Sequence, residues 1–290
     1  MITSEKIKNL RNKTGAGMMD CKKALEESQG DLNNAVDWLR KKGINTAQKK
    51  SSRDASEGLI TISITENCAS IIEVNSETDF VARNKDFQSF TKRIADFIVE
   101  KKISNKDDIN DLVFTDSTLS FNQEFTSLIA KVGENLIFKR SKFFEEDGLF
   151  FQKYLHNSVN DDSGKIGVIL SYSCKNNDSE QKNIAKNICM HIAAADPKAL
   201  NSDLLDHEIV NKEKEIYLEQ LRESGKSEDI IEKIISGKIK KFYEDVCLQD
   251  QFFVMDNKIK IKDYLGDFNK KTGSNFEINN FTLFKVGENI

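Results

Sequence analysis

Residues 59–74 read LITISITENCASIIEV. Ile60, Ile62 and Ile64 alternate with Thr61 and Ser63, Glu66-Asn67 supplies turn residues, and Ala69 to Val74 returns as a second apolar run. A period of two sends alternate side chains to opposite faces of a sheet, so the stretch predicts two strands of a β-hairpin. Downstream the period lengthens. Phe87, Phe90, Ile94, Phe97 and Ile98 fall on one helical face, Phe125, Leu128, Ile129 and Val132 on another, and Leu136 to Phe144 alternates again as a strand.

The same order recurs further on. Leu149 to Leu155 and Ile166 to Tyr172 have strand patterns, followed by a helical stripe at Ile184, Ile188, Ile192 and Ala195 that must stop at Asp196-Pro197. Strand, strand, helix twice over predicts an α+β core of two related subdomains, residues 54–147 and 148–290. KVGEN also occurs twice, at 131–135 and 285–289. One copy follows a helical stripe and the other a strand-like run, so the match is read as coincidence. Within the second subdomain, residues 206–248 differ. Val210, Tyr217 and Leu221 mark one helix, Ser224-Gly225 interrupts it, and Ile231, Ile235, Ile239, Phe242 and Val246 mark a second. The short connection predicts a protruding antiparallel helical hairpin.

Upstream of the hairpin the pattern is three short helices, with Gly15, Gly17, Gly30 and Gly43 at their expected ends. Thr3 or Ser4 caps the first, which carries Ile7 and Leu10. The second holds Met18, Met19, Cys21, Ala24 and Leu25, and Asp31 caps the third, with Leu32, Ala35, Val36 and Leu39 inward. Residues 40–57, RKKGINTAQKKSSRDASE, have linker composition, which sets a boundary near residue 53.

Charge supports a separate first module, residues 1–53. The chain of 290 residues carries 43 Lys and Arg against 47 Asp and Glu, yet residues 1–53 hold 12 basic and 6 acidic side chains. A net charge of −4 argues against general binding to nucleic acid or to anionic membranes. Five scattered cysteines, Cys21, Cys68, Cys174, Cys189 and Cys247, contain no Cys-x-x-Cys pair and suit a reducing interior. No apolar run is long enough for a membrane span and no signal peptide opens the chain, so a cytoplasmic protein is expected.

The search for chemistry returns little. His156, His191 and His207 are the only histidines; no nucleophile arrangement, phosphate-binding glycine loop or zinc motif is present, and His191, beside an apolar stripe, reads as structural. A binding protein without cofactors is expected rather than an enzyme. The candidate surface is NSETDFVARN at 75–84. In one reading Ser76 caps a helix, Asp79 reaches back and Phe80 packs in the first turn. In the other, because Arg83 and Asn84 break the apolar stripe that should accompany Phe80, the ring is presented outward as an anchor for a partner.

Several stretches resemble a known family. TGAGMMDCKKAL at 14–25, EVNSETDFVARN at 73–84, KVGEN at 131–135, GVIL at 167–170 and QFFVM at 251–255 are similar, in order, to bacterial elongation factor Ts. The resemblance implies an N-terminal module similar to ubiquitin-associated (UBA) domains, a two-subdomain core and a coiled coil. It also implies a role as guanine-nucleotide exchange partner of elongation factor Tu, in both its GDP-bound and nucleotide-free forms. By the same resemblance, Thr78, Asp79, Phe80 and Val81 enter the partner's G domain and dislodge its magnesium; Phe80 wedges between partner helices and Asp79 bonds near their ends. Met18 and Met19 would touch the G domain, with core filling as the alternative for each. Gly133 falls in the family's Gly-Glu-Asn turn, and His156 matches a histidine before a glycine-rich strand start, although NSVNDDSGK at 157–165 is longer than that family leads one to expect. A non-catalytic adaptor that binds partners through its helical modules is the competing function.

Overall fold

The structure is a computed structural model that describes residues 2–222 and 227–289. Its contacts divide the chain into two units: Met1–Glu145 with Leu155–Gly167 and Phe284–Ile290, and Glu146–Tyr154 with Val168–Leu283.

The first unit begins with α1 (Ser4–Thr14), α2 (Met18–Glu27) and α3 (Leu32–Lys50). Thr3 Oγ1 accepts the Lys6 N–H at 3.3 Å and Asp31 Oδ1 the Asn34 N–H at 2.8 Å, while Gly15, at φ 67°, ends α1. Leu10, Cys21, Ala24, Leu25 and Ala35 make the small core of this bundle. Two expectations fail. Leu32 is exposed, and α3 does not end at Gly43 but runs through much of the stretch read as linker. The reason lies in packing: a Cβ at Gly43 would lie 3.5 Å from the Ala130 side chain, and Ala47 packs on the larger core. Small residues let α3 lie close to its neighbour while leaving no apolar stripe in the sequence.

β1 (Glu57–Ile64) and β2 (Cys68–Ser76) form the predicted hairpin, in register Leu59↔Val74 and Ile62↔Ile71. β2 is buried along its whole length; on one of its faces Ile72 and Val74 share a core with Phe87, Phe90, Ile94 and Phe121, under the cover of α4 (Asp79–Ala82), α5 (Lys85–Lys101) and α6 (Phe121–Val132). β3 (Leu136–Glu145) pairs with β2. After β4 (Phe150–His156), the two-residue β5 (Ser163–Gly164) pairs with β1, giving the order β3-β2-β1-β5.

The second unit contains most of β6 (Ile166–Ser173), α7 (Ser179–Ala195), α8 (His207–Arg222), α9 (Glu228–Val246), β7 (Phe252–Phe253), β8 (Asp256–Lys260), α10 (Ile261–Thr272) and most of β9 (Glu277–Lys285). A sheet ordered β4-β6-β9 is covered by α7 and α10 through Val168, Leu170, Ile188, Ile192, Leu265 and Phe268. α7 stops at Asp196, left-handed at φ 51°, before Pro197. α8 and α9 share the apolar cluster of Val210, Tyr217, Ile235, Ile239 and Phe242, and Lys238 sits over the Tyr217 ring at 4.5 Å. The expected break at Ser224-Gly225 lies outside the described residues. Mixed helix and sheet in this arrangement is an α+β fold.

Candidate functional site

Pairing of Ser76 with Glu57 on one side and Leu136 on the other keeps the end of β2 extended and buried. Ser76 therefore cannot cap α4. Its hydroxyl donates instead to the Thr78 carbonyl at 2.9 Å, and the expected Ser76–Asp79 capping box is absent. Thr78 occupies the N-cap position but makes no side-chain cap bond, because its hydroxyl is engaged elsewhere. Thr78 Oγ1 donates to Glu134 Oε1 at 2.6 Å, and the Thr78 N–H to Glu134 Oε2 at 3.0 Å.

The exchange is reciprocal. Glu77 Oε1 accepts the Asn135 N–H at 2.6 Å. That bond first, and the Arg53 guanidinium at 3.4 Å second, hold the Glu77 carboxyl below the usual carboxylate range. Asn135 Nδ2 donates to the Arg53 carbonyl at 2.7 Å, and Lys50 Nζ to the Gly133 carbonyl. Gly133, at φ 78°, is the left-handed residue that ends α6 and turns Glu134 and Asn135 toward the end of β2.

Four helical residues follow Thr78. Successive side chains on a helix point about 100° apart. Val81 and Ala82 thus enter the core while Phe80 is left 79% exposed. Asp79 Oδ2 lies 3.3 Å from Arg83 Nη2, four residues on. α4 then stops, and Asn84 starts a separate helix by accepting the N–H groups of Asp86 and Phe87. The broken stripe at Arg83 and Asn84 is this junction between two helices.

Of the other candidate residues, Met18 and Met19 stand on the first turn of α2, 58% and 73% exposed; Met19 points away from the buried Cys21, Ala24 and Leu25, and Met18 lies at the edge of their face. Flexible, polarisable methionines suit an adaptable contact surface. His156 is exposed at the end of β4, where its carbonyl accepts the Lys165 N–H at 3.0 Å and closes the 157–165 loop. Gly133 is thus joined to the Thr78 corner through Glu134, whereas Met18, Met19 and His156 lie on separate elements. Sequence reasoning missed Glu77, Glu134, Asn135, Arg53 and Lys50. Their bonds join positions more than fifty residues apart, or a linker to a turn, and no periodicity marks them. Among the described residues, no helix is long and apolar enough to cross a membrane.

Residues 77–288 match the family described as elongation factor TS, a match that begins one residue before Thr78. Curated relatives named elongation factor Ts are similar over the full chain. The protein from Rhodospirillum centenum is 39% identical over 292 residues, covering 100% of this chain and 94% of its own length. That from Halothermothrix orenii is 41% identical, covering 100% and 93%, and that from Bartonella bacilliformis 40% identical, covering 100% and 94%. With this likeness extending from the helical bundle through the Thr78 corner to β9, the chain belongs to the elongation factor Ts family of translation elongation factors.

Proposed function

We propose that this chain is a guanine-nucleotide exchange factor. It binds elongation factor Tu carrying GDP, dislodges the partner's magnesium and promotes GDP release, so that GTP can bind. The observation that supports this most is the Phe80 ring, exposed on a corner whose approach is held by Glu134 and whose following residues are buried. An aromatic held this way loses little conformational freedom when it enters a pocket, so most of its burial energy goes to the complex. Thr78 and Val81 fix the corner from either side; Phe80 and Asp79 act on the partner. Magnesium neutralises the phosphates of the bound nucleotide, and displacing its surroundings weakens nucleotide binding.

The coupling is reciprocal: a factor that loosens GDP is itself loosened by GDP, and incoming nucleotide releases it. The chain makes and breaks no covalent bond in this cycle, so it is not an enzyme. Met18 and Met19 add contacts to the G domain from a UBA-like bundle, with Gly133 and His156 as lesser contributors, and α8 with α9 forms a coiled coil. The setting is the cytoplasm, with no direct role for nucleic acid or membrane.

Release of fluorescent GDP from elongation factor Tu tests the reading. The parent chain accelerates release, and Asp79→Ala with Phe80→Ala removes most of the acceleration without unfolding the protein. Equal acceleration by parent and double variant would overturn the site. Stable complex formation with no acceleration by the parent would instead identify an adaptor.

A further inference from the structure

We infer that Glu134 is a positioning residue for exchange: its carboxylate sets the direction in which Phe80 leaves the body of the protein. This inference rests on the exchange function proposed above. A four-residue helix such as α4 cannot hold itself, because the cost of fixing its first turn is not recovered within so few residues. Val81 and Ala82 anchor one side of it in the core. The other side, where the chain enters, is held by Glu134. Both carboxylate oxygens bind a single residue, one on the Thr78 N–H and one on its hydroxyl, so backbone and side chain are fixed two residues before Phe80. Charge-assisted bonds of this kind are among the stronger hydrogen bonds available at a protein surface.

The clasp cannot readily pivot, because Glu77 makes the reverse bond to the Asn135 N–H. Two neighbouring residues on one segment grip two neighbouring residues on the other. The same turn is tied to the end of α3 through Lys50 and through the Arg53 carbonyl. α3 packs with α2, which carries Met18 and Met19. Glu134 thus lies where the mount of the helical bundle meets the mount of Phe80. Without its carboxylate, Thr78 is free to turn its hydroxyl to the start of α4, and the Phe80 corner samples orientations that a partner must reorder on binding.

The test is a double-mutant cycle read by GDP release from elongation factor Tu. Glu134→Ala is expected to slow stimulated release roughly tenfold. In a Phe80→Ala background the same substitution should change release by less than about twofold, since there is no ring left to position. Thr78→Val, which removes the hydroxyl alone, should fall between, and Thr78→Ser, which keeps it, should restore parental release. A residue that merely stabilises the fold would slow release by the same factor with or without Phe80.

Urea midpoints identify any variant that fails to fold. If Glu134→Ala does, Glu134→Gln carries the test, since it retains one acceptor oxygen and should give a smaller effect that again vanishes without Phe80. Unchanged release by both Glu134 variants, or equal slowing in both backgrounds, overturns the positioning role while leaving Phe80 as the site. Unchanged release by Phe80→Ala overturns Phe80 as the site and this inference with it, whereas no acceleration by the parent overturns the exchange reading itself.

Discussion

His191 Nε2 lies 2.9 Å from Gln251 Oε1 in the interior of the second unit, while His191 Nδ1 accepts the Val254 N–H at 3.2 Å. A ring nitrogen that accepts carries no proton, so the neutral imidazole holds its hydrogen on Nε2 and donates it to Gln251. Gln251 Nε2 passes the contact on to the carbonyls of Asp245 and Ala195. Three elements, α7, α9 and the β7–β8 hairpin, thereby meet at one buried side chain. His191, read from the sequence as structural, has that role.

The arrangement predicts a pH dependence of stability. Burial depresses the His191 pKa below its ordinary value, more than the Gln251 bond raises it. A folded-state pKa below the unfolded one means that the unfolded chain takes up the proton first. The stabilisation is therefore complete above about pH 6.5 and is lost as pH falls from there toward the folded-state pKa. Urea midpoints at pH 7.5 and 5.5 should differ for the parent, with pH 5.5 lower. His191→Gln should be less stable at pH 7.5 and show a smaller difference; an undiminished difference would place the titration elsewhere.

A second prediction concerns charge in the first unit. The Glu73 carboxylate is fully buried and accepts from Arg140 Nε at 2.7 Å, the Gly287 N–H at 2.9 Å and Asn75 Nδ2 at 3.0 Å. Removing one member of a buried pair leaves a charge without its partner, which costs about 3–5 kcal/mol. Arg140→Met should lower unfolding free energy by that amount, and adding Glu73→Gln should recover part of it. A double variant as unstable as the sum of the two singles would exclude a direct interaction.

Gly58 offers a backbone prediction. It pairs with Asn75 across the hairpin at φ 135°, and a Cβ there would sit 2.2 Å from the Val74 carbonyl oxygen. Backbone cannot step aside as a flexible side chain would, and an L-residue is strained at that φ. Gly58→Ala should cost at least about 2–3 kcal/mol by urea titration.

What could be read from the sequence follows from where periodicity carries information. The β1–β2 hairpin, the α5 stripe, the end of α7 at Asp196-Pro197 and the paired stripes of α8 and α9 are each repeated apolar signals, and all appear. The extension of α3 left none, since Gly43 and Ala47 work by being small. α10 did carry a signal, Ile261, Leu265 and Phe268 at helical spacing, that the sequence reading did not use. Outward presentation of Phe80 was readable because a gap in a stripe is itself a pattern. The clasp beneath it was not: a carboxylate finding an N–H more than fifty residues away is decided only once the sheet has brought the two segments together.

Phe80 and Val81 should separate stability from function. They are adjacent, yet one is 79% exposed and the other 6%. Truncating Phe80 removes little from the core, so Phe80→Ala should change unfolding free energy by less than about 0.5 kcal/mol. Val81→Ala empties space between Val74, Phe87 and their neighbours and should cost roughly 1–3 kcal/mol. GDP release should rank them the opposite way. At a temperature where both variants are fully folded, the proposed exchange function has Phe80→Ala lose most of the stimulated release and Val81→Ala retain most of its own, because the Val81 side chain is buried in the chain's own core. If Val81→Ala, still folded, slowed release as much as Phe80→Ala, the two side chains would have to act on the partner together, and the division between anchor and wedge would be wrong.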